Sequence, residues 1–142
     1  MNWMVGTIVV PSDGSSAAEL QLASARALAR ATGARIVVTH VTESDPDAGE
    51  AIPQHGGASA LAERVRGQVE ALRDSGVRAE FEILVRAGDI ARAIAEAAST
   101  YDADLIVARP RRGGLHRDAS NDIARRLIDL AACPVLVVPQ AA

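Results

Sequence analysis

Residues 103–139 read ADLIVARPRRGGLHRDASNDIARRLIDLAACPVLVVP. The order of residue types predicts a buried strand, a loop rich in glycine and arginine, a helix, and a second buried strand bounded by prolines. Such a unit is a parallel crossover. In open α/β sheets, the loop between the carboxyl end of a strand and the next helix binds anionic ligands, because free backbone N–H groups converge there. We therefore expect any small-molecule chemistry between Ala108 and Ile123.

The composition is that of one globular domain covering residues 1–142. The chain is 49% hydrophobic and 23% charged with a net charge of -3, which favours neither nucleic acid nor a membrane surface as a partner. All 15 basic residues are arginine. The lack of lysine excludes a P-loop lysine, a Schiff-base lysine and the lysine of a phospho-acceptor response regulator.

One cysteine is present, Cys133, so no disulfide or zinc cluster can form within one chain, and a small buried thiol is predicted. Residues 5–11 are apolar but follow no basic leader and are too short to span a bilayer. We expect neither a signal peptide nor an anchor, and a cytoplasmic location.

Strand and helix patterns alternate in the first half of the chain. The stretches 7–10 and 35–41 are rich in β-branched residues and predict two strands buried on both faces. The helix between them is predicted to start at about Ala17, with a capping box of Ser16 and Glu19, and to stop at Gly33. Its predicted inner face consists of Leu20, Ala23, Ala27, Leu28 and Ala31.

The alternation continues with a helix from residue 59 to Gly76 and an edge strand over residues 77–85. The helix is predicted to bury Leu61, Val65, Val69 and Leu72. Strict alternation in the strand predicts a buried side of Val77, Ala79, Phe81, Ile83 and Val85 and a side open to water.

The second half predicts two more helices and two more strands. Asp89 is the predicted N-cap of the third helix, whose inner face is Ile90, Ile94, Ala97, Ala98 and Tyr101. Residues 105–107 form the next predicted strand. Asn121 or Ser120 is expected to cap the last helix, which turns Ile123, Leu127 and Leu130 inward. Such alternation predicts a parallel sheet with helices on both faces.

The fifth predicted strand is wholly apolar. It consists of Val135, Leu136, Val137 and Val138. Nothing in it would block edge-to-edge pairing if it lies at the edge of the sheet, so a homodimer through this strand is predicted.

Residues 42–57 form a long acidic connection. Asp45, Asp47 and Glu50 suggest calcium, but Pro46 and Gly49 break the spacing of an EF-hand, so no metal is predicted.

A hydrolase site also has candidate residues. Ser12, Asp13 and His40 lie at the ends of neighbouring predicted strands and have the residue types of a nucleophile, an acid and a base. The Gly-x-Ser-x-Gly motif is missing, however, and His40 lies in an apolar strand. We predict a buried, hydrogen-bonded histidine and no catalysis.

Six short motifs occur in an order that resembles the universal stress protein family. They are residues 8–15, 34–41, 88–89, 103–107, 114–115 and 133–138, and the resemblance covers essentially the whole chain. It implies a five-stranded sheet ordered 3-2-1-4-5, dimers through the last strand and, in one branch, ATP held between the loops after strands one and four.

That ATP branch carries a signature of glycine, two residues, glycine, nine residues, then glycine and serine or threonine. Aligning it on residues 114–115 puts Ala108 and Arg111 at the first two glycines, and Asn121 and Asp122 at the final pair. Side chains there obstruct the approach of a phosphate to the backbone. Asp122 also puts a carboxylate at the positive end of the last helix, where it would repel a triphosphate.

The predicted loop also contains four arginines, whose positive charge would attract a phosphate. They are Arg109, Arg111, Arg112 and Arg117, with His116 among them. They favour an anionic ligand, or else an exposed loop neutralised by Asp118 and Asp122. Without aromatic residues for stacking, the loop does not favour nucleic acid.

The resemblance also matches Asp13 and Val41 to the family's adenosine-contacting positions, although an aspartate before glycine is equally an ordinary turn residue. The predicted ligand crevice is lined by Pro11, Ser12, Asp13, Val41, Ala108, Arg109, Arg111, Asn121, Asp122 and Ile123. The resemblance implies a cytosolic, homodimeric stress-response module without catalysis. The departures at Ala108, Arg111 and Asp122 predict that its ATP site is lost or altered and that it uses no cofactor. The alternative is a slow ATPase that binds ATP with magnesium, with Asp13 on the ribose and the arginine loop on the phosphates.

Overall fold

Strand and helix alternate throughout the computed structural model, which describes residues 4–43, 57–86, 88–110 and 122–139. The elements are β1 (Thr7–Pro11), α1 (Ala18–Thr32), β2 (Arg35–Glu43), α2 (Gly57–Asp74), β3 (Ala79–Arg86), α3 (Ile90–Thr100), β4 (Leu105–Ala108), α4 (Ile123–Leu130) and β5 (Val135–Val137). The strands form one parallel sheet in the order β3-β2-β1-β4-β5. The predicted α/β fold and strand order are confirmed.

Helices cover both faces of the sheet, which is why its central strands are continuous apolar runs. Helices α1 and α2 pack on one face, where Ile8 and Val10 of β1 enter the first core cluster. Helices α3 and α4 pack on the other face, where Val9 enters the second cluster. β1 lies between β2 and β4. The connections that follow β1 and β4 lead to helices on opposite faces of the sheet. A crevice at that point is the general ligand site of such sheets.

The buried face of α1 differs from the predicted one. The buried residues are Ala18, Gln21, Leu22, Ala25 and Ala29, whereas Leu20 is exposed. Alanines occur all around this helix, so the apolar pattern does not select one face, and the buried stripe includes a glutamine. The predicted capping box is also wrong: the N-cap is Ala17, without a side-chain hydrogen bond. The predicted stop at Gly33 is confirmed by its left-handed backbone.

Two further elements depart from expectation in detail. β3 is an edge strand as predicted, but Ile83 and Val85 are exposed rather than buried, since the apolar side of the strand is covered only at its start. In α4 the N-cap is Asp122 rather than Asn121 or Ser120. Asp89 caps α3 as predicted, accepting a hydrogen bond from the Ala91 amide.

β5 lies at the opposite edge of the sheet and ends at Val137, one residue earlier than predicted. Leu136 is 40% exposed, while Val138 is buried in the first core cluster. The homodimer through this strand stays a prediction.

The acidic residues Asp45, Asp47 and Glu50 lie outside the described residues. None of the helices in the described part of the chain is both long enough and apolar enough to cross a bilayer.

Candidate functional site

A cavity of about 480 Å³ opens at the carboxyl edge of the sheet, where β1 and β4 diverge. Its lining combines the strand ends with residues from α1, α2, α3 and α4. The lining residues are Pro11, Ser12, Asp13, Gln21, Thr39, His40, Val41, Leu61, Ile90, Ile94, Ala108, Arg109, Pro110 and Ile123. The volume falls within the range of about 300–1,000 Å³ that is typical of small-molecule sites.

Most of the predicted crevice residues lie around this one cavity. The structure brings together Pro11, Ser12, Asp13, Val41, Ala108, Arg109 and Ile123. Asp122 caps the helix that begins with Ile123, one residue from the lining. Arg111 and Asn121 lie outside the described residues, as do Arg112, His116, Arg117 and Asp118. That the lining binds a ligand stays a prediction.

Asp13 is held in a tight turn after β1. One carboxylate oxygen, Oδ1, accepts from the Ser15 amide at 2.9 Å and from the Ser15 hydroxyl at 2.5 Å. Gly14 follows with φ of 79°, and a Cβ there would lie 2.9 Å from the Leu61 carbonyl oxygen of α2. Only glycine fits that position without strain, so the turn and the Asp13 carboxylate are fixed against α2.

Arg109 reaches across the mouth of the cavity to Asp13. Its Nη2 atom donates to Oδ2 of Asp13 at 2.7 Å. Burial raises the pKa of the Asp13 carboxyl, but the hydrogen bonds from Ser15 and the charge of Arg109 outweigh it and hold that pKa below its usual range. The carboxylate predicted for a ribose is therefore ionised and already engaged by Ser15 and Arg109.

Replacing Arg109 with methionine is expected to raise the pKa of Asp13 toward the usual aspartate range, because the compensating charge is lost. A lowered pKa stabilises the fold above the unfolded-state pKa, and that stability is lost as the pH falls through the folded-state pKa. Arg109→Met should thus be less stable than the unmodified protein at neutral pH, with the gap closing in acid. NMR titration of the Asp13 carboxyl carbon, with urea unfolding across the acid range, measures both. Arg26→Met, at an exposed position of α1, is the control, and an unchanged pKa in Arg109→Met would contradict the pairing.

The N-terminus of α4 is occupied by its own carboxylate. Asp122 has an extended backbone, and its Oδ1 accepts from the Arg125 amide at 3.3 Å. A phosphate bound at a helix N-terminus would use these same free amides. The negative charge of Asp122 is also stabilised by the positive end of the helix dipole. This end of the helix is therefore capped by a side chain that carries a negative charge.

Asp89 and Arg126 join the two helices that form the apolar wall of the cavity. The Asp89 carboxylate caps α3 and accepts a hydrogen bond from the Arg126 guanidinium of α4. That hydrogen bond is the main reason why the pKa of Asp89 is lowered, although burial opposes it. The pair holds Ile90 and Ile123 on adjoining helices at the cavity wall.

Ser12 and His40 do not form a nucleophile and base. The Ser12 hydroxyl donates to Gln68 Oε1 at 2.6 Å and accepts from the Gly14 amide at 3.1 Å. His40 is buried, and its Nδ1 lies 3.1 Å from the Ser12 carbonyl oxygen. Because a carbonyl only accepts, the Nδ1 atom donates there. The predicted buried, hydrogen-bonded histidine is confirmed.

Cys133 is half-buried against the second core cluster rather than fully buried. Burial, together with the nearby Asp104 carboxylate, raises the pKa of its thiol. A raised pKa keeps the sulfur protonated and poorly nucleophilic at neutral pH. Within the described ranges, no group of three histidine, cysteine or acidic side chains is placed to hold a metal ion.

Seven residues that line the cavity were not predicted from the sequence. The missed residues are Gln21, Thr39, Leu61, Ile90, Ile94 and Pro110, together with His40 as a lining residue. Family motifs mark the strand ends, whereas these side chains come largely from helices and strand interiors. The available signal was polarity: Gln21 and Thr39 are polar residues among buried apolar ones.

The sequences and structures of known proteins support the α/β fold described above. Residues 4–139 match the model of the universal stress protein family. A Thermus aquaticus relative, described as a universal stress protein in the QAH/OAS sulfhydrylase 3′ region, is 37% identical over 139 residues, covering 95% of this chain and 99% of that protein.

Two solved structures extend the comparison. A member of the family from Burkholderia pseudomallei is 27% identical with a TM-score of 0.67, over 98% of this chain and 99% of that one. The Archaeoglobus fulgidus universal stress protein in complex with dAMP is 25% identical with a TM-score of 0.71, over 96% and 98%. On its sequence and its fold, this chain belongs to the universal stress protein family.

Proposed function

We propose that this chain is a cytosolic, non-catalytic stress-response protein whose family ATP site has been altered, so that its crevice takes an adenine nucleoside in preference to a nucleoside triphosphate. The observation that carries the proposal is the Asp122 carboxylate at the N-terminus of α4, hydrogen-bonded to the Arg125 amide. A triphosphate tail needs free amides and positive potential at that point. Here it would meet a fixed negative charge.

The proposal that a small ligand still enters rests on the cavity itself. About 480 Å³ is open between the strand ends, and its walls are apolar at Val41, Ile90 and Ile94. Asp13 stands at the mouth with a carboxylate oxygen that a sugar hydroxyl would reach by displacing Arg109. The Archaeoglobus fulgidus protein named above was solved with dAMP, which supports an adenine-containing ligand for this crevice.

The second candidate is an ATP-binding protein with slow hydrolysis. The Arg109 guanidinium at the cavity mouth favours it, since arginine binds phosphate well. In that case Asp13 would hold the ribose, and Arg109 with Arg111 would neutralise the phosphates. The Asp122 carboxylate at the start of α4 weighs against it, because the phosphates would lie near that negative charge.

The proposal includes a homodimer through β5. This strand is at the sheet edge, and the described part of the chain pairs it with β4 alone. Leu136 projects from it with 40% of its surface exposed, and the strand carries no charged residue that would discourage pairing with a second copy.

Titration calorimetry with adenosine, AMP and magnesium ATP tests the ligand proposal. Adenosine is expected to bind about tenfold more tightly than magnesium ATP. This is a difference of about 1.4 kcal/mol, which the repulsion by one charge at a helix N-terminus can provide. An assay for released phosphate should show no turnover. Low-micromolar binding of magnesium ATP would overturn the proposal in favour of the second candidate.

A further inference from the structure

Gln68 of α2 holds the turn that carries Asp13, although it lies outside the cavity. It is 8% exposed and is not among the described residues that line the cavity. Its Oε1 atom accepts from the Ser12 hydroxyl at 2.6 Å. Its Nε2 atom donates to the Ser15 carbonyl oxygen at 3.2 Å and to Oε1 of Glu19, in the first turn of α1, at 3.1 Å. One buried amide therefore joins α2 to both ends of the turn of residues 12–15.

The direction of these hydrogen bonds is set by their acceptors. A carbonyl oxygen and a carboxylate only accept, so the nitrogen of the Gln68 amide must face Ser15 and Glu19. Its oxygen then faces Ser12, whose hydroxyl donates to it and accepts in turn from the Gly14 amide at 3.1 Å. Hydrogen bonds in such a chain polarise and strengthen one another. The amide of Gln68 therefore fits in one orientation only.

Ser15 connects Gln68 to the Asp13 carboxylate. Ser15 donates both its amide and its hydroxyl to Oδ1 of Asp13, while its own carbonyl oxygen accepts from Gln68. Asp13 itself is exposed, and an exposed turn is mobile unless other parts of the fold hold it. The direction of the carboxylate at the cavity mouth therefore depends on a side chain that contacts neither Asp13 nor the cavity.

We propose that Gln68 is a positioning residue for the crevice, which sets the direction of the Asp13 carboxylate before a ligand arrives and does not contact that ligand. This rests on the proposed function, in which a sugar hydroxyl pairs with Asp13. A group that is held in place beforehand loses less freedom on binding, so ligand affinity depends on the residue that holds it. A glutamine with a merely structural role would change the free energy of unfolding alone.

Gln68→Met keeps the length of the side chain and removes both its donor and its acceptor. Burial raises the pKa of Asp13 and the hydrogen bonds from Ser15 oppose that effect, so a loosened turn should raise the pKa of Asp13. Adenosine is expected to bind about two- to tenfold more weakly, because its binding must then also order the carboxylate. NMR titration of the Asp13 carboxyl carbon and titration calorimetry measure the two effects.

Exchanging the amide and the carboxylate tests the hydrogen bond to Glu19. Gln68→Glu alone replaces the donor to Glu19 with a second carboxylate, so adenosine should bind at least as weakly as it binds Gln68→Met. Adding Glu19→Gln restores a donor between the two positions and keeps an acceptor for Ser12, so the double variant should recover part of the lost affinity. A double variant that binds no better than Gln68→Glu would overturn the role given to the amide.

Val69→Ala, at the next position of α2, is the matched control for lost stability. Val69 is 1% exposed and lies in the first core cluster, so its truncation destabilises the fold. It should change neither the pKa of Asp13 nor the affinity for adenosine. An unchanged pKa or affinity in Gln68→Met, or equal changes in the two variants, would overturn the positioning role while the proposed function stands. If adenosine does not bind the unmodified protein, the proposed function is overturned, and the pKa of Asp13 still decides whether Gln68 positions the carboxylate.

Discussion

Replacing Leu127 with alanine is expected to lower the free energy of unfolding by about 2–5 kcal/mol. Leu127 is on the buried side of the short helix α4, is 0% exposed and lies in the second core cluster. Truncation removes favourable burial and leaves a cavity that the surrounding core fills only in part. Urea denaturation followed by circular dichroism measures the loss.

The neighbouring residue supplies a matched control. Ile128 is on the same helix but is 58% exposed, so Ile128→Ala should change the free energy of unfolding by about 0.5 kcal/mol or less. Equal losses in the two variants would mean that α4 does not use the Leu127 side to pack on the sheet. The comparison therefore tests the orientation of the helix that presents Asp122 and Ile123 to the crevice.

The positions and the order of the strands could be predicted because their sequence pattern is strong. β1 and β2 are runs of β-branched residues bounded by turn residues, and such runs occur in strands that are covered on both faces. The alternation of these runs with helices then leaves few topologies for the sheet.

The orientation of α1 was not predictable in the same way. Alanine is compatible with either a buried or an exposed position, and it occurs on every side of this helix. Gln21 is buried because its amide hydrogen-bonds two strand-end carbonyls, which is a tertiary effect. From the local sequence alone, glutamine is expected at the surface, so the predicted buried face of α1 was the wrong one.

The site was predictable at its rim and less so in its interior. Turn residues such as Asp13 follow strand ends, and parallel strand ends share one edge of the sheet. The cap of α4 was ambiguous because Ser120, Asn121 and Asp122 are consecutive residues of good capping type. Only the packed helix shows which one has the extended backbone of an N-cap, and that is Asp122.

Replacing Asp122 with serine is expected to strengthen magnesium ATP binding by about two- to thirtyfold. A charge at a helix N-terminus contributes about 0.3–1 kcal/mol when exposed and up to about 2 kcal/mol when partly buried, and Asp122 is half-buried. Serine is itself a good N-cap, so the helix keeps its start while the repulsion of the phosphates is removed. Titration calorimetry at low and high salt measures the gain, which should shrink as salt screens the charge.

Asp129→Ser makes the same change of charge at the exposed, opposite end of α4 and is the matched control. It should leave magnesium ATP binding nearly unchanged, since Asp129 is at the end of α4 that does not line the crevice. Adenosine, which has no phosphate, should bind both variants as it binds the unmodified protein. A gain in Asp122→Ser no larger than that in Asp129→Ser would mean that net charge alone sets the affinity, and that the carboxylate at the start of α4 is not what turns the triphosphate away.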